Sequence, residues 1–214
     1  MSTTAVTNSQ YLRFVQATGY RPADSDRFLA QLPRLPSGDL PRSLPAPLGD
    51  LPVTFVTLPD ARAYAAWVGA RLPTEAEWQW AAEGAGASNS WPWGKVFSDG
   101  MSNSTGQLAA AEANARGATP QGILGLTGNA WELTESEWSD GHDRFVMLRG
   151  GTYLGTDLDQ PGSGGSGPSE WMLPRGAHPN NYHAKFFLVS EGLDRSEAIS
   201  FRVIRLRTSV GAGT

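Results

Sequence analysis

The stretch Gly122-Ile123-Leu124-Gly125-Leu126-Thr127-Gly128-Asn129-Ala130-Trp131-Glu132 decides how the rest of this chain reads. Its Gly128-Asn129 pair suits a tight turn, because both residue types tolerate positive φ. Glu132 then follows as a carboxylate held near backbone carbonyls. Upstream stands Arg71-Leu72-Pro73-Thr74-Glu75-Ala76-Glu77-Trp78, and downstream Leu148-Arg149-Gly150-Gly151-Thr152-Tyr153. Arg149-Gly150-Gly151 puts two residues without side chains where backbones must approach closely.

Composition bounds the chemistry. The 214 residues include no cysteine, which removes disulfides, thiolate metal sites and cysteine nucleophiles together. A net charge of −4 gives no electrostatic reason to expect nucleic acid. Met1-Ser2-Thr3-Thr4-Ala5 has no basic region followed by an apolar run, so no signal peptide is expected and the cytoplasm is the default compartment. No stretch nears the roughly 20 apolar residues of a membrane span, so membrane insertion is not expected. With 25 glycines, 15 prolines and 8 tryptophans, the chain should be loop-rich and packed by large aromatics. Residues 1–214 are read as one domain of ordinary size.

Along the chain, Val6 to Gly19 reads as a helix capped by Thr7 or Asn8, with Tyr11, Phe14 and Val15 on one buried face. Residues 20–52 are proline-rich and predict an extended surface excursion with at most a short helix over 26–31. Val53-Thr54-Phe55-Val56 resembles a short strand. Thr57 and Asp60 have the spacing of a capping box for a second helix, whose apolar side is Tyr64, Trp67 and Val68. Thr74 and Glu77 repeat it for a third, which buries Trp78, Ala81 and Ala82. Trp67 and Trp78 read as core. Strands are predicted over 145–148 and 201–206, and 161–168 is a glycine- and serine-rich insertion.

Six motifs occur in the order of one family, and on them the chain resembles the formylglycine-generating enzyme (sulfatase-modifying factor) family. They are Val6-Thr7-Asn8-Ser9-Gln10-Tyr11-Leu12-Arg13-Phe14-Val15, the segment 71–78, Trp91-Pro92-Trp93-Gly94, Gly128-Asn129-Ala130-Trp131-Glu132, Leu148-Arg149-Gly150-Gly151 and Phe201-Arg202-Val203. The opening strand and the Gly-Gly-Thr-Phe-like segment usual in the family are not found before Thr7. The resemblance implies an α+β, loop-rich domain of C-type-lectin-like fold, with a small twisted antiparallel sheet and two to three helices.

It also implies a calcium site, formed by the carbonyls of Gly128 and Ala130 and the carboxylate of Glu132. The family's fourth ligand, an Asp or Asn, would fall on Gly125, which has no side-chain oxygen to offer. The alternative is that Glu132 only hydrogen-bonds the loop. A second calcium site would start near Asn103, without an evident Asp partner. The family's oxidases bind copper through two cysteine thiolates, whose positions fall on Gly155 and near Gln160. Copper-dependent formylglycine formation is therefore excluded on chemistry, and no catalytic residue is assigned.

What remains is recognition. The segment 153–200 lies where variable proteins of diversity-generating retroelements, built on the same lectin-like scaffold, carry their randomised ligand-binding face. Here it holds Tyr153, Trp171, Arg175, His178, Asn180, Asn181, Tyr182 and His183, residue types that combine contact area with adaptable hydrogen bonds. The expected function is non-catalytic binding of a protein or other macromolecular ligand. Two alternatives stay open. One is a cysteine-independent enzyme of the same family, for instance in natural-product maturation, with His178 and His183 joined by Glu191 or Asp194 as metal ligands. The other is a scaffold domain of a larger assembly.

Overall fold

A computed structural model describes residues 1–84, 89, 91–96, 98, 100–103, 105–153, 184–189 and 195–205, with backbone alone for 184–186. Its elements run α1 (Asn8–Thr18), α2 (Leu58–Trp67), α3 (Glu75–Glu83), β1 (Trp131–Ser139), β2 (Arg144–Arg149), β3 (Ala184–Leu188) and β4 (Ile199–Phe201). All three helices start with the same device. Thr7, Thr57 and Thr74 each accept a hydrogen bond from the backbone N–H three residues on, and Gln10, Asp60 and Glu77 accept one in return from the cap's own N–H. This reciprocity satisfies two donors that a helix start otherwise leaves orphaned. Gly19, at φ 65°, closes α1 in the left-handed conformation.

Arg71 reinforces the third cap with two hydrogen bonds of 2.6 Å to the two carboxylate oxygens of Glu77. The Arg71 fork, with smaller help from Thr74, holds the Glu77 carboxyl down at about 2, far below the usual glutamate value. Because the folded-state value is depressed, the stabilisation is complete above the unfolded value and fades as pH falls toward 2. Both side chains are partly exposed, so solvent screening keeps the term to about 1 kcal/mol or less. Glu77→Gln is thus expected to lower the melting temperature by about 2–4 °C at neutral pH. That gap should close below pH 4 in a thermal-melt series, and a gap independent of pH would refute the assignment.

The four strands order β3-β2-β1-β4. β1 pairs antiparallel with β2, β2 antiparallel with β3, and β1 parallel with β4. The sheet is therefore mixed, not wholly antiparallel as expected. A parallel neighbour needs a long connection between the two strands, and the chain from Ser139 to Ile199 supplies one.

Several local expectations change. β1, the longest strand, carries no clean alternation: its first four residues are all buried and its last three exposed, and the register shifts between Leu133 and Glu137. An irregularity of this kind breaks the period of two that makes a strand visible in sequence. The last strand ends at Phe201 instead of running to 206, because Phe201, Arg202 and Val203 are all buried. The N-terminal segment covers them: the Ser2 and Val6 amides donate to the Val203 and Phe201 carbonyls at 2.7 and 2.9 Å. Residues 53–56 form no strand, since Phe55 sits at φ 53°. Nor is there a helix over 26–31, where Arg27 and Leu29 also have positive φ. The excursion is not all surface either, because Phe28, Leu29 and Leu32 join the main core.

That core stacks Tyr11 on Tyr64 at 5.6 Å and sets Phe201 edge-on to both. Beneath it lies a buried ionic node. Asp60 accepts from Tyr20 Oη at 2.8 Å and from Arg195 Nη2 at 3.0 Å, while Arg195 also donates to the Asp24 and Asp26 carbonyls. A second cluster gathers Trp78, Ala82 and Leu126. Trp78 is buried as expected, and Trp91 and Trp131 are buried too, whereas Trp67, expected in the core, is largely exposed along with Trp80 and Trp138. No helix among the described residues is long and apolar enough to cross a membrane.

Candidate functional site

The site starts from the turn at Gly128-Asn129, where both residues take positive φ, 74° and 67°. Gly128 N donates to the Gly150 carbonyl at 2.7 Å, Asn129 N to the Asn103 carbonyl at 2.9 Å, and Tyr153 N to the Asn129 carbonyl at 2.9 Å. The Asn129 amide accepts from Asn103 Nδ2 and Ala109 N and donates to the Ala109 carbonyl. These bonds tie the segments 103–109 and 150–153 to one turn, with the two asparagine side chains paired as burial demands. At Asn103, where the family's second calcium site would start, Oδ1 accepts from the backbone and hydroxyl of Thr105.

Glu132 follows the turn with 1% of its surface exposed. Its carboxylate faces a guanidinium: Arg202 Nε and Nη2 donate to the two oxygens at 2.6 and 2.7 Å, and Trp78 Nε1 adds a third bond at 2.7 Å. The expected calcium ligands therefore do not fit an ion at Glu132. Both oxygens are in use, the Gly128 carbonyl accepts from Ala130 N, and Gly125 has only a backbone at φ 66°. Among the described residues, no three His, Asp or Glu side chains gather as a metal-holding group.

Next to this pair, Arg149 is buried against the Trp78 ring, 5.2 Å from its centroid, with Nη1 3.3 Å from a Glu75 oxygen. Burial pushes its guanidinium down to about 10, and the negative charges of Glu75 and Glu83 oppose that fall. Arg149 is also the point where the sheet opens. It pairs with Glu132 on β1 and with Ala184 on β3, so the three residues lie side by side across three strands. The chain leaves the sheet at Arg149 and returns to it at Ala184, in register.

Tyr153, expected among the contact residues, is buried at 8% exposure and tied by its backbone to Asn129 and Gly106. Burial raises its phenol above the usual value. It belongs to the frame. Trp171, Arg175, His178, Asn180, Asn181, Tyr182 and His183 lie outside the described residues, as do Gly155, Gln160, the 161–168 insertion, Glu191 and Asp194. Two features escaped the sequence reading: the Arg202 partner of Glu132 and the Asn103–Asn129 pair. Arg202 sits in the quoted motif Phe201-Arg202-Val203, but an arginine in a strand pattern gives no sign of a partner 70 residues away.

A family model described as "Sulfatase-modifying factor enzyme 1-like domain" matches residues 1–206. The chain is 36% identical over 120 residues to the inactive C-alpha-formylglycine-generating enzyme 2 of Bos taurus, covering 50% of this chain and 40% of that one. It is 29% identical over 208 residues to the formylglycine-generating enzyme of Streptomyces coelicolor, covering 71% and 66%. The chain thus spans less than two thirds of the length of either relative. Among solved structures, PvdO from Pseudomonas aeruginosa superposes with a TM-score of 0.60 at 20% identity, over 94% of this chain and 78% of that one, and supports the fold alone.

Proposed function

The chain belongs to the sulfatase-modifying factor family, and we propose that within it this domain binds a macromolecular ligand and performs no covalent chemistry. The observation that carries the reading is the pairing of Arg149 with Ala184. A rigid sheet, locked by the Gly128-Asn129 turn and the Glu132–Arg202 pair, holds both ends of residues 150–183 at one point. Long connections on rigid scaffolds are where binding function concentrates. This one carries Trp171, Arg175, His178, Asn180, Asn181, Tyr182 and His183. The thiolate pair of the family's oxidases has no counterpart in a chain without cysteine, and the family also contains a relative named inactive.

The test has two arms. A sulfatase-type cysteine peptide incubated with pure protein, copper and oxygen should stay unmodified, and conversion above background would overturn the non-catalytic reading. In the second arm, a ligand is first isolated from cells of the source organism on immobilised protein. Trp171→Ala and Tyr182→Ala should then weaken its binding by about 30-fold each, as for an interface hot spot of about 2 kcal/mol, with the melting temperature nearly unchanged. Loss of folding in both variants would make these side chains structural and sink the recognition face. A transition metal bound tightly through His178 and His183 would instead favour the cysteine-independent enzyme.

A further inference from the structure

The misfit between Glu132 and a calcium ion has a positive side, because the carboxylate is not short of a cation. Arg202 is fully buried, and its guanidinium reaches three segments of chain at once. It donates to both Glu132 oxygens on β1, to the Leu124 carbonyl at 2.8 Å and to the Ser2 carbonyl at 3.3 Å. One carboxylate and two backbone carbonyls around a single positive charge are the oxygen ligands that a hard divalent cation would gather. Here they converge on a side chain delivered from just beyond β4. We infer that the Arg202 guanidinium is the resident cation of this turn, so that the segment from Leu124 to Glu132 is held without a metal.

The electrostatics favour one occupant. Glu132 supplies a single negative charge, and Arg202 neutralises it with a bidentate, charge-assisted pair. A calcium ion added beside it would place two further positive charges against a buried guanidinium that already takes both Glu132 oxygens. Trp78 Nε1 takes the remaining approach to Glu132 Oε2. Residue chemistry at Gly125 points the same way, since a glycine there adds no side-chain oxygen ligand. Removing the guanidinium would leave a buried carboxylate with only one indole donor, a costly state.

The test begins with unaltered protein, so it does not depend on any variant folding. Thermal melts in about 5 mM calcium chloride and in about 5 mM chelator should agree within about 1 °C, because an ion without a site gives no linkage. A calcium-dependent rise of several degrees, reversed by chelation and absent in Glu132→Gln, would overturn the inference. Arg202→Met should lower the melting temperature by about 10 °C, as breaking a buried pair does. Arg202→Met combined with Glu132→Gln should recover part of that loss, because the orphaned charge is gone. An Arg202→Met protein as stable as the parent would equally refute the role. If Arg202→Met cannot be recovered folded, Arg202→Lys keeps the charge without the fork and should melt several degrees below the parent, and a Lys variant as stable as the parent would refute the role.

Discussion

Replacing Asp60 by alanine is expected to lower the unfolding free energy by about 3–5 kcal/mol, the usual cost of leaving one member of a buried ion pair alone. Few residues here serve as many partners. The Asp60 carboxylate accepts from Thr57 N at 2.8 Å, closing the α2 cap, and from Tyr20 Oη and Arg195 Nη2. Without it, Arg195 remains buried at 5% exposure with the Asp24 and Asp26 carbonyls and a distant Asp24 carboxylate at 3.5 Å. The helix cap loses half of its reciprocal pair at the same time, worth about 1 kcal/mol by itself. Urea unfolding monitored by tryptophan fluorescence should show this as a large fall in midpoint. Arg195→Met on the Asp60→Ala background should cost less than it does alone, since the unpaired charge is what the first change exposes. A change of under about 1 kcal/mol in Asp60→Ala would mean that the node is solvated and holds little.

Gly128→Ala should be the second severe substitution, at about 3–4 kcal/mol, from left-handed strain together with an overlap that backbone cannot relieve. A Cβ at Gly128 would meet the Asn103 carbonyl oxygen at 2.3 Å. That oxygen also accepts the Asn129 amide, so it cannot retreat without breaking the turn. Gly125 is the control within the same stretch. It too has positive φ, but a Cβ there meets nothing within 4 Å, so Gly125→Ala should cost only the conformational strain of about 1–2 kcal/mol. Parallel denaturation curves decide the matter, and equal costs at the two glycines would show that Asn103 does not press on the turn.

These effects bear on how legible the molecule was in its sequence. Thr57 with Asp60 and Thr74 with Glu77 announced two helix starts, because a capping box is a local device that needs only residues three apart. The Gly128-Asn129 turn was legible for the same reason, since φ preference belongs to the residue itself. The strand over 145–148 showed as a short run of β-formers. By contrast, β1 was hidden by its irregular register, and Phe55, Arg27 and Leu29 adopt left-handed backbone that nothing in their own chemistry suggests. Their conformations answer to distant partners: the Phe55 amide donates to the Ser196 carbonyl, and the Leu29 amide to Phe55.

By itself, then, the sequence determined the family, the α+β class, three helix starts and the absence of thiolate chemistry, all of which follow from residue identity and short spacing. Only the tertiary structure showed what faces Glu132. The family resemblance implied calcium ligands along one segment, but Arg202 comes from 70 residues away and its guanidinium donates to both carboxylate oxygens. The same holds for Tyr153, read as a contact residue and found in the frame, and for Asp60, read as a cap and found holding Arg195 as well. A side chain's charge is written in the sequence, but its counter-charge is chosen by packing, because burial joins groups that no local pattern relates.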